Sequence, residues 1–145
     1  MNADDLKNFV GTHNYASPQI LKSKPFNGIK ADIFSLGALL FILVNGILPF
    51  LSSEKSDVYY SRIILKKYQE YWNSETIRKL NLSDSFKNLF VKMVAYKPNE
   101  RPSIDDILND EWMQEINNLN AEQINVLENE LRQEFHNREN LLENE

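Results

Sequence analysis

Twenty-one consecutive residues, Ile33 to Ser53 (IFSLGALLFILVNGILPFLSS), carry no charged side chain. A bilayer crossing takes about 20 apolar residues, so length alone would permit one. Asn45-Gly46 and Pro49 interrupt the run and leave about a dozen residues, Ile33 to Val44, for one continuous helix. A segment that short, apolar all round, reads as a helix buried on all sides in a protein core. A membrane span at 33–53 is the lesser alternative. Asp32 stands just ahead of the run and is expected at the positive end of that helix.

Helical periodicity continues on both sides of this centre, and no segment reads as a strand. From Asp57 to Trp72, Tyr60, Ile63, Ile64, Lys67, Tyr68, Tyr71 and Trp72 share one face and predict a single helix. Ser83 is placed to cap a helix with the stripe Phe86, Leu89, Phe90, Met93 and Val94, which Pro98 ends. Ser103 and Asp106 resemble a capping box opening a short helix through Ile107, Leu108 and Trp112. Ile124, Leu127, Leu131 and Phe135 mark one face of a charged helix from Ala121, expected to fray near Asn137 to Asn140. The fold class expected is therefore all-α.

The 145 residues suffice for about one domain with a single core. The chain has no cysteine, so neither a disulfide framework nor a thiolate metal site can be built, and a cytoplasmic or otherwise intracellular setting is expected. The start, MNADDLKNFV, does not read as a secretory signal. The net charge of −5 comes from the tail: residues 121–145 hold 2 Arg and 7 Glu, whereas residues 1–120 hold 14 basic and 14 acidic residues. With no basic stripe to offset that tail, nucleic acid is not expected as a partner.

Chemistry is sparse. His13 and His136 are far apart, which argues against a zinc site. Asp4-Asp5 and Asp105-Asp106 are adjacent pairs whose side chains diverge, as caps and solvated charges do. The four glycines, at 11, 28, 37 and 46, build no loop that could cradle a phosphate. From the residues alone, no catalytic centre can be assembled.

The order of motifs is more informative. GTHNYASPQ (11–19), DIFSLG (32–37), GILPF (46–50), KPNERPS (97–103) and ILNDEW (107–112) follow one another in register. The chain thereby resembles the helical C-terminal lobe of eukaryotic serine/threonine protein kinases, in the style of the calmodulin-dependent group. The resemblance runs from the end of the activation loop to the last helix of the lobe. It implies a partial kinase domain over 1–113 and an acidic, amphipathic helical extension over 114–145.

That resemblance implies roles for individual residues. Thr12, Tyr15, Ala16 and Ser17 would dock the substrate, with Thr12 holding the catalytic aspartate and the substrate hydroxyl. Asp32 would brace the catalytic loop through its backbone amides. Phe34 stands where the family usually has Trp, and Lys97 where it has an acidic residue. Asn8 occupies a position at which activation-loop kinases carry a phosphorylatable Ser or Thr, so ordering by an arginine–phosphate pair is not expected there. Gln19 replaces the glutamate that would pair with the arginine matched by Arg101.

Phosphoryl transfer requires a glycine-rich loop, a strand-borne lysine, a His-Arg-Asp loop and an Asp-Phe-Gly motif, and none of these is in the sequence. ATP and Mg2+ are implied for a full-length parent kinase, and neither is expected on this chain. The expected partners are a peptide or protein substrate and a regulatory protein. The competing reading is a freestanding, non-catalytic helical binding module derived from such a lobe.

Overall fold

The computed structural model describes residues 14–22, 25–117 and 120–142. Thr12 and Asn8 lie outside them. The described residues form helices α1 (Pro18–Leu21), α2 (Gly28–Asn45), α3 (Val58–Ile64), α4 (Tyr68–Trp72), α5 (Asp84–Met93), α6 (Ile104–Leu108), α7 (Glu111–Asn117) and α8 (Ala121–Leu142). Short 3-10 turns at Ile77–Lys79 and Pro98–Glu100 link them. No extended strand occurs among the described residues, and the chain is all-α. It divides after Asp110 into two compact units.

The first unit is organised on α2. This helix begins five residues earlier than the apolar run, because Asn27 caps it: its side-chain oxygen accepts the Lys30 N–H at 2.9 Å. Asp32 consequently lies inside the helix and not at its positive end. Gly46 closes α2 in the left-handed conformation (φ 69°), its N–H bonded to the Ile42 carbonyl at 2.7 Å. The helix is also not buried on all sides. Ala31, Ile33, Phe34, Gly37, Ala38 and Phe41 are buried, whereas Ile29, Leu36, Leu39 and Leu43 are exposed.

Helix α5 covers the buried face. Ser83 caps it by accepting the Phe86 N–H at 3.2 Å, and Phe86, Leu89, Phe90 and Met93 are buried beneath. The helix stops at Met93, before Pro98 can act, and Val94 serves as its C-cap. Aromatic rings fill the space between elements. Phe41 meets Phe90 at 4.8 Å between centroids, and Phe50 meets Tyr60 at the same separation.

The segment expected as one helix over 57–72 is two. Asp57 opens α3, its Oδ1 accepting the N–H groups of Tyr59 (2.9 Å) and Tyr60 (2.7 Å). Its Oδ2 accepts those of Leu51 (3.0 Å) and Ser52 (3.2 Å), tying the preceding loop to the helix. The break comes at Lys66, whose φ of 57° is left-handed. The Lys67 N–H then reaches the Arg62 carbonyl (2.8 Å) and the Lys66 N–H the Ile63 carbonyl (3.0 Å), a Schellman closure without glycine. Tyr60 and Tyr71 remain fully buried on either side, donating to the carbonyls of Val94 (3.0 Å) and Pro49 (3.1 Å). Burial raises both phenols well above their usual range, so they are held as donors.

Ser103 and Asp106 do form a capping box at the start of α6. The helix ends at Asn109, and Trp112 falls on a separate helix, α7. In the second unit, Asn120 and Gln123 exchange backbone–side-chain hydrogen bonds of 3.0 and 2.9 Å at the head of α8. Helix α8 continues to Leu142, past the expected fraying point. Ile124 and Val126 on it are exposed, while the side chains of Leu127, Leu131 and Phe135 lie outside the described set.

Gly37 marks the closest approach of α2 to α5. A Cβ there would stand 2.8 Å from the Met93 Cβ and 3.0 Å from the Val94 Cγ1. Helix propensity would favour alanine by about 1 kcal/mol. The Met93 Cβ cannot rotate away, however, so the helices must part, which costs about 1–3 kcal/mol. Gly37→Ala is expected to lower unfolding stability by about 1–2 kcal/mol net. Unchanged or raised stability in denaturant unfolding would show that the two helices separate freely.

Candidate functional site

The stretch implicated in docking enters the described structure at Asn14 and is held by its carbonyls. The Ser35 hydroxyl of α2 donates to the Tyr15 carbonyl at 2.8 Å, and the buried Ser53 hydroxyl to the Ala16 carbonyl at 2.6 Å. Ala16 and Ser17 are buried and Tyr15 half-buried. Ser17 caps α1 by position only. Its hydroxyl is fully buried with no partner among the described residues.

Beneath this stretch lies Arg101, 3 % exposed. Its Nε donates to the Ala95 carbonyl (2.8 Å) and its Nη1 to the Lys30 carbonyl (2.7 Å). Its Nη2 donates to Gln19 Oε1 (2.7 Å) and, more weakly, to the Tyr96 carbonyl (3.4 Å). The guanidinium also lies over the Phe34 ring, 4.9 Å from its centroid. Gln19 completes the arrangement by donating from Nε2 to the Tyr96 carbonyl at 2.7 Å. Lys30 returns the contact, its Nζ donating to the carbonyls of Arg101 (2.6 Å) and Pro102 (3.1 Å).

The four acceptors around Arg101, three carbonyls and an amide oxygen, are all neutral. Burial therefore pulls its pKa down to about 10, which leaves it charged at neutral pH. The structure brings Gln19 and Arg101 together, and it explains how an amide serves there. Gln19 must be donor to one neighbour and acceptor from another, and a carboxylate cannot donate. Sequence reasoning missed Ser35, Ser53, Lys30 and the carbonyls of Ala95 and Tyr96. No local pattern could have marked Ser35, Ser53 or Lys30, which act across long chain separations, and the carbonyls of Ala95 and Tyr96 are backbone groups that no side-chain pattern marks.

Asp32 is exposed on α2. At 100° per residue it falls on one stripe with Ile29, Leu36, Leu39 and Leu43, whose exposures run from 42% to 73%. Asp32 accepts no hydrogen bond from another described residue. The stripe is a surface able to receive an apolar segment with a few free amide donors at its centre.

These contacts join GTHNYASPQ, DIFSLG and KPNERPS in one place, and the sequence matches the protein kinase domain family over residues 1–113. The chain belongs to the protein kinase family. Its relatives include the probable serine/threonine-protein kinase MARK-A of Dictyostelium discoideum, 32% identical over 91% of this chain and 13% of that protein. The probable serine/threonine-protein kinase CCRP1 of Zea mays is 34% identical over 81% of this chain and 18% of its own length. The CBL-interacting serine/threonine-protein kinase 26 of Arabidopsis thaliana is 34% identical over 74% of this chain and 22% of its own. The chain thus spans between 13% and 22% of these curated relatives.

The glycines are dispersed, and among the described residues no group of three His, Asp or Glu could hold an ion. Phe34, which replaces the usual Trp, is fully buried beneath the guanidinium. Lys97, in place of an acidic residue, is exposed and pairs with Glu100 at 3.6 Å.

The Gln19–Arg101 contact can be measured. Gln19→Glu gains a charged acceptor but brings an oxygen against the Tyr96 carbonyl, where the amide now donates. The expected gain is therefore about 1 kcal/mol at most. Arg101→Leu removes the donor to the Ala95 and Lys30 carbonyls and to Gln19 Oε1, and is expected to cost about 3–5 kcal/mol. In the Arg101→Leu background, Gln19→Glu should become destabilising. Zero coupling energy across the four proteins in denaturant unfolding would contradict the contact.

Proposed function

We propose that this chain is the C-lobe portion of an ATP-dependent serine/threonine protein kinase. Thr12, Tyr15, Ala16 and Ser17 would dock the protein substrate, and Asp32 would brace the catalytic loop. The isolated chain would transfer no phosphoryl group. The observation that carries this reading is the outer face of α2, where Asp32 stands exposed among Ile29, Leu36, Leu39 and Leu43. Apolar stripes of this kind are seats for other protein surfaces. Here the stripe sits on the helix whose opposite face is the core of a kinase-family lobe. A carboxylate at its centre suits the amides of a tight loop.

Helix α2 is long and apolar enough to cross a membrane by composition. Its fully buried residues Phe34, Ala38 and Phe41 support reading it as a core helix instead. A second reading, the freestanding binding module, is favoured by α8, which exposes Ile124 and Val126 on a unit of its own.

Titration calorimetry of the chain with magnesium–ATP is expected to show no saturable binding below about millimolar, a threshold of roughly 4 kcal/mol. Peptide phosphorylation should likewise be absent. Saturable, magnesium-dependent binding would overturn the assignment of an incomplete lobe. For the seat itself, Leu36→Asn with Leu43→Asn should change stability by no more than about 0.5 kcal/mol each, as exposed sites do. Losses of several kcal/mol would mean the stripe is already covered.

A further inference from the structure

Lys22 follows α1 and Lys55 lies in the turn between α2 and α3, yet both ammonium groups sit over one ring. Lys22 Nζ is 4.8 Å from the Tyr96 ring centroid and donates to its hydroxyl. Lys55 Nζ is 5.5 Å from the same centroid. Like charges gathered on one side chain repel, and the ring attracts each only modestly. Among the described residues, no carboxylate stands within ion-pair distance of either, whereas Lys66, Lys67, Lys87, Lys92 and Lys97 each have one. Glu54 borders the same cleft without pairing.

The cleft has a volume of about 370 Å3, with Pro18 and Leu21 as an apolar wall and Ser56 at its rim. Its base is fixed. The Tyr96 carbonyl is held by Gln19, and Ser53, 1% exposed, is held by the Ala16 carbonyl. Both lysines are exposed, above a floor held by these hydrogen bonds.

We propose that this cleft binds a phosphate monoester dianion on a peptide, a phosphoserine or phosphothreonine. Lys22 and Lys55 are its charge partners, and the Pro18–Leu21 wall takes a neighbouring apolar side chain. Two ammonium groups match a dianion that carries nearly two charges at neutral pH, better than they match a single carboxylate. A nucleic-acid phosphate is disfavoured by the net charge of −5 and the lack of a basic stripe. The inference rests on the geometry of this cleft and is independent of the kinase C-lobe reading.

The test is amide-resolved NMR of the full chain, titrated with a blocked phosphoserine–leucine dipeptide. Its unphosphorylated form and inorganic phosphate serve as comparisons. Saturable shifts are expected at Leu21, Lys22, Lys55, Ser56 and Tyr96 with the phosphodipeptide, with none from the unphosphorylated form. Lys22→Gln and Lys55→Gln should each weaken binding about tenfold, as the loss of one charge-assisted hydrogen bond does. Lys87→Gln, on α5, should leave it unchanged. Tyr96→Phe keeps the ring and the carbonyl and should weaken binding by releasing Lys22. Absence of saturable shifts, or indifference to both lysine variants, would overturn the site. Inorganic phosphate binding as tightly as the phosphodipeptide would overturn its assignment to a peptide.

Discussion

A guanidinium buried without a carboxylate is the constraint on which the first unit depends. A charge removed from water must recover its hydration from hydrogen bonds. Arg101 does so from four acceptors on three separate stretches of chain: Gln19 in α1, Lys30 in α2, and Ala95 and Tyr96 after α5. Each of those stretches must be in place for the charge to be tolerated. The turn at Ala16–Ser17 is next to the first of them, so its position is set indirectly by a residue more than 80 positions away.

The second constraint is that α2 is apolar on two faces and buries one. Phe34, Ala38 and Phe41 hold the helix in the core, and Gly37 lets α5 approach it. The outer stripe around Asp32 then has no structural use within the described unit. That contrast between an occupied and an open face is what links the fold to the proposed role, because it separates residues that hold the lobe from residues that would serve it.

Much of the fold was legible because its signals were local. Ser83, and Ser103 with Asp106, are caps that a few residues specify, and the stripe from Phe86 to Met93 has one period. The failures are equally physical. The start of α2 was missed because a polar first turn, capped by Asn27, precedes the apolar run. The break at Lys66 was missed because lysine carries no turn signal, and the left-handed closure is made by backbone hydrogen bonds that no side chain announces. For the site, the Gln19–Arg101 pairing was reached through the family resemblance. The donation from Gln19 to Tyr96, which makes the amide suitable, required the structure.

The most direct test of this account is backbone hydrogen exchange on the full chain and on Arg101→Leu. The amide of Leu21, bonded to the Ser17 carbonyl at 3.2 Å, reports the turn at Ala16–Ser17. The amides of Phe90 and Met93 report the core of α5. If Arg101 holds the turn, its replacement should abolish protection at Leu21 while Phe90 and Met93 stay protected, a local opening and not a global one. Protection at Leu21 that persists in Arg101→Leu would contradict the claim that this buried charge positions the turn.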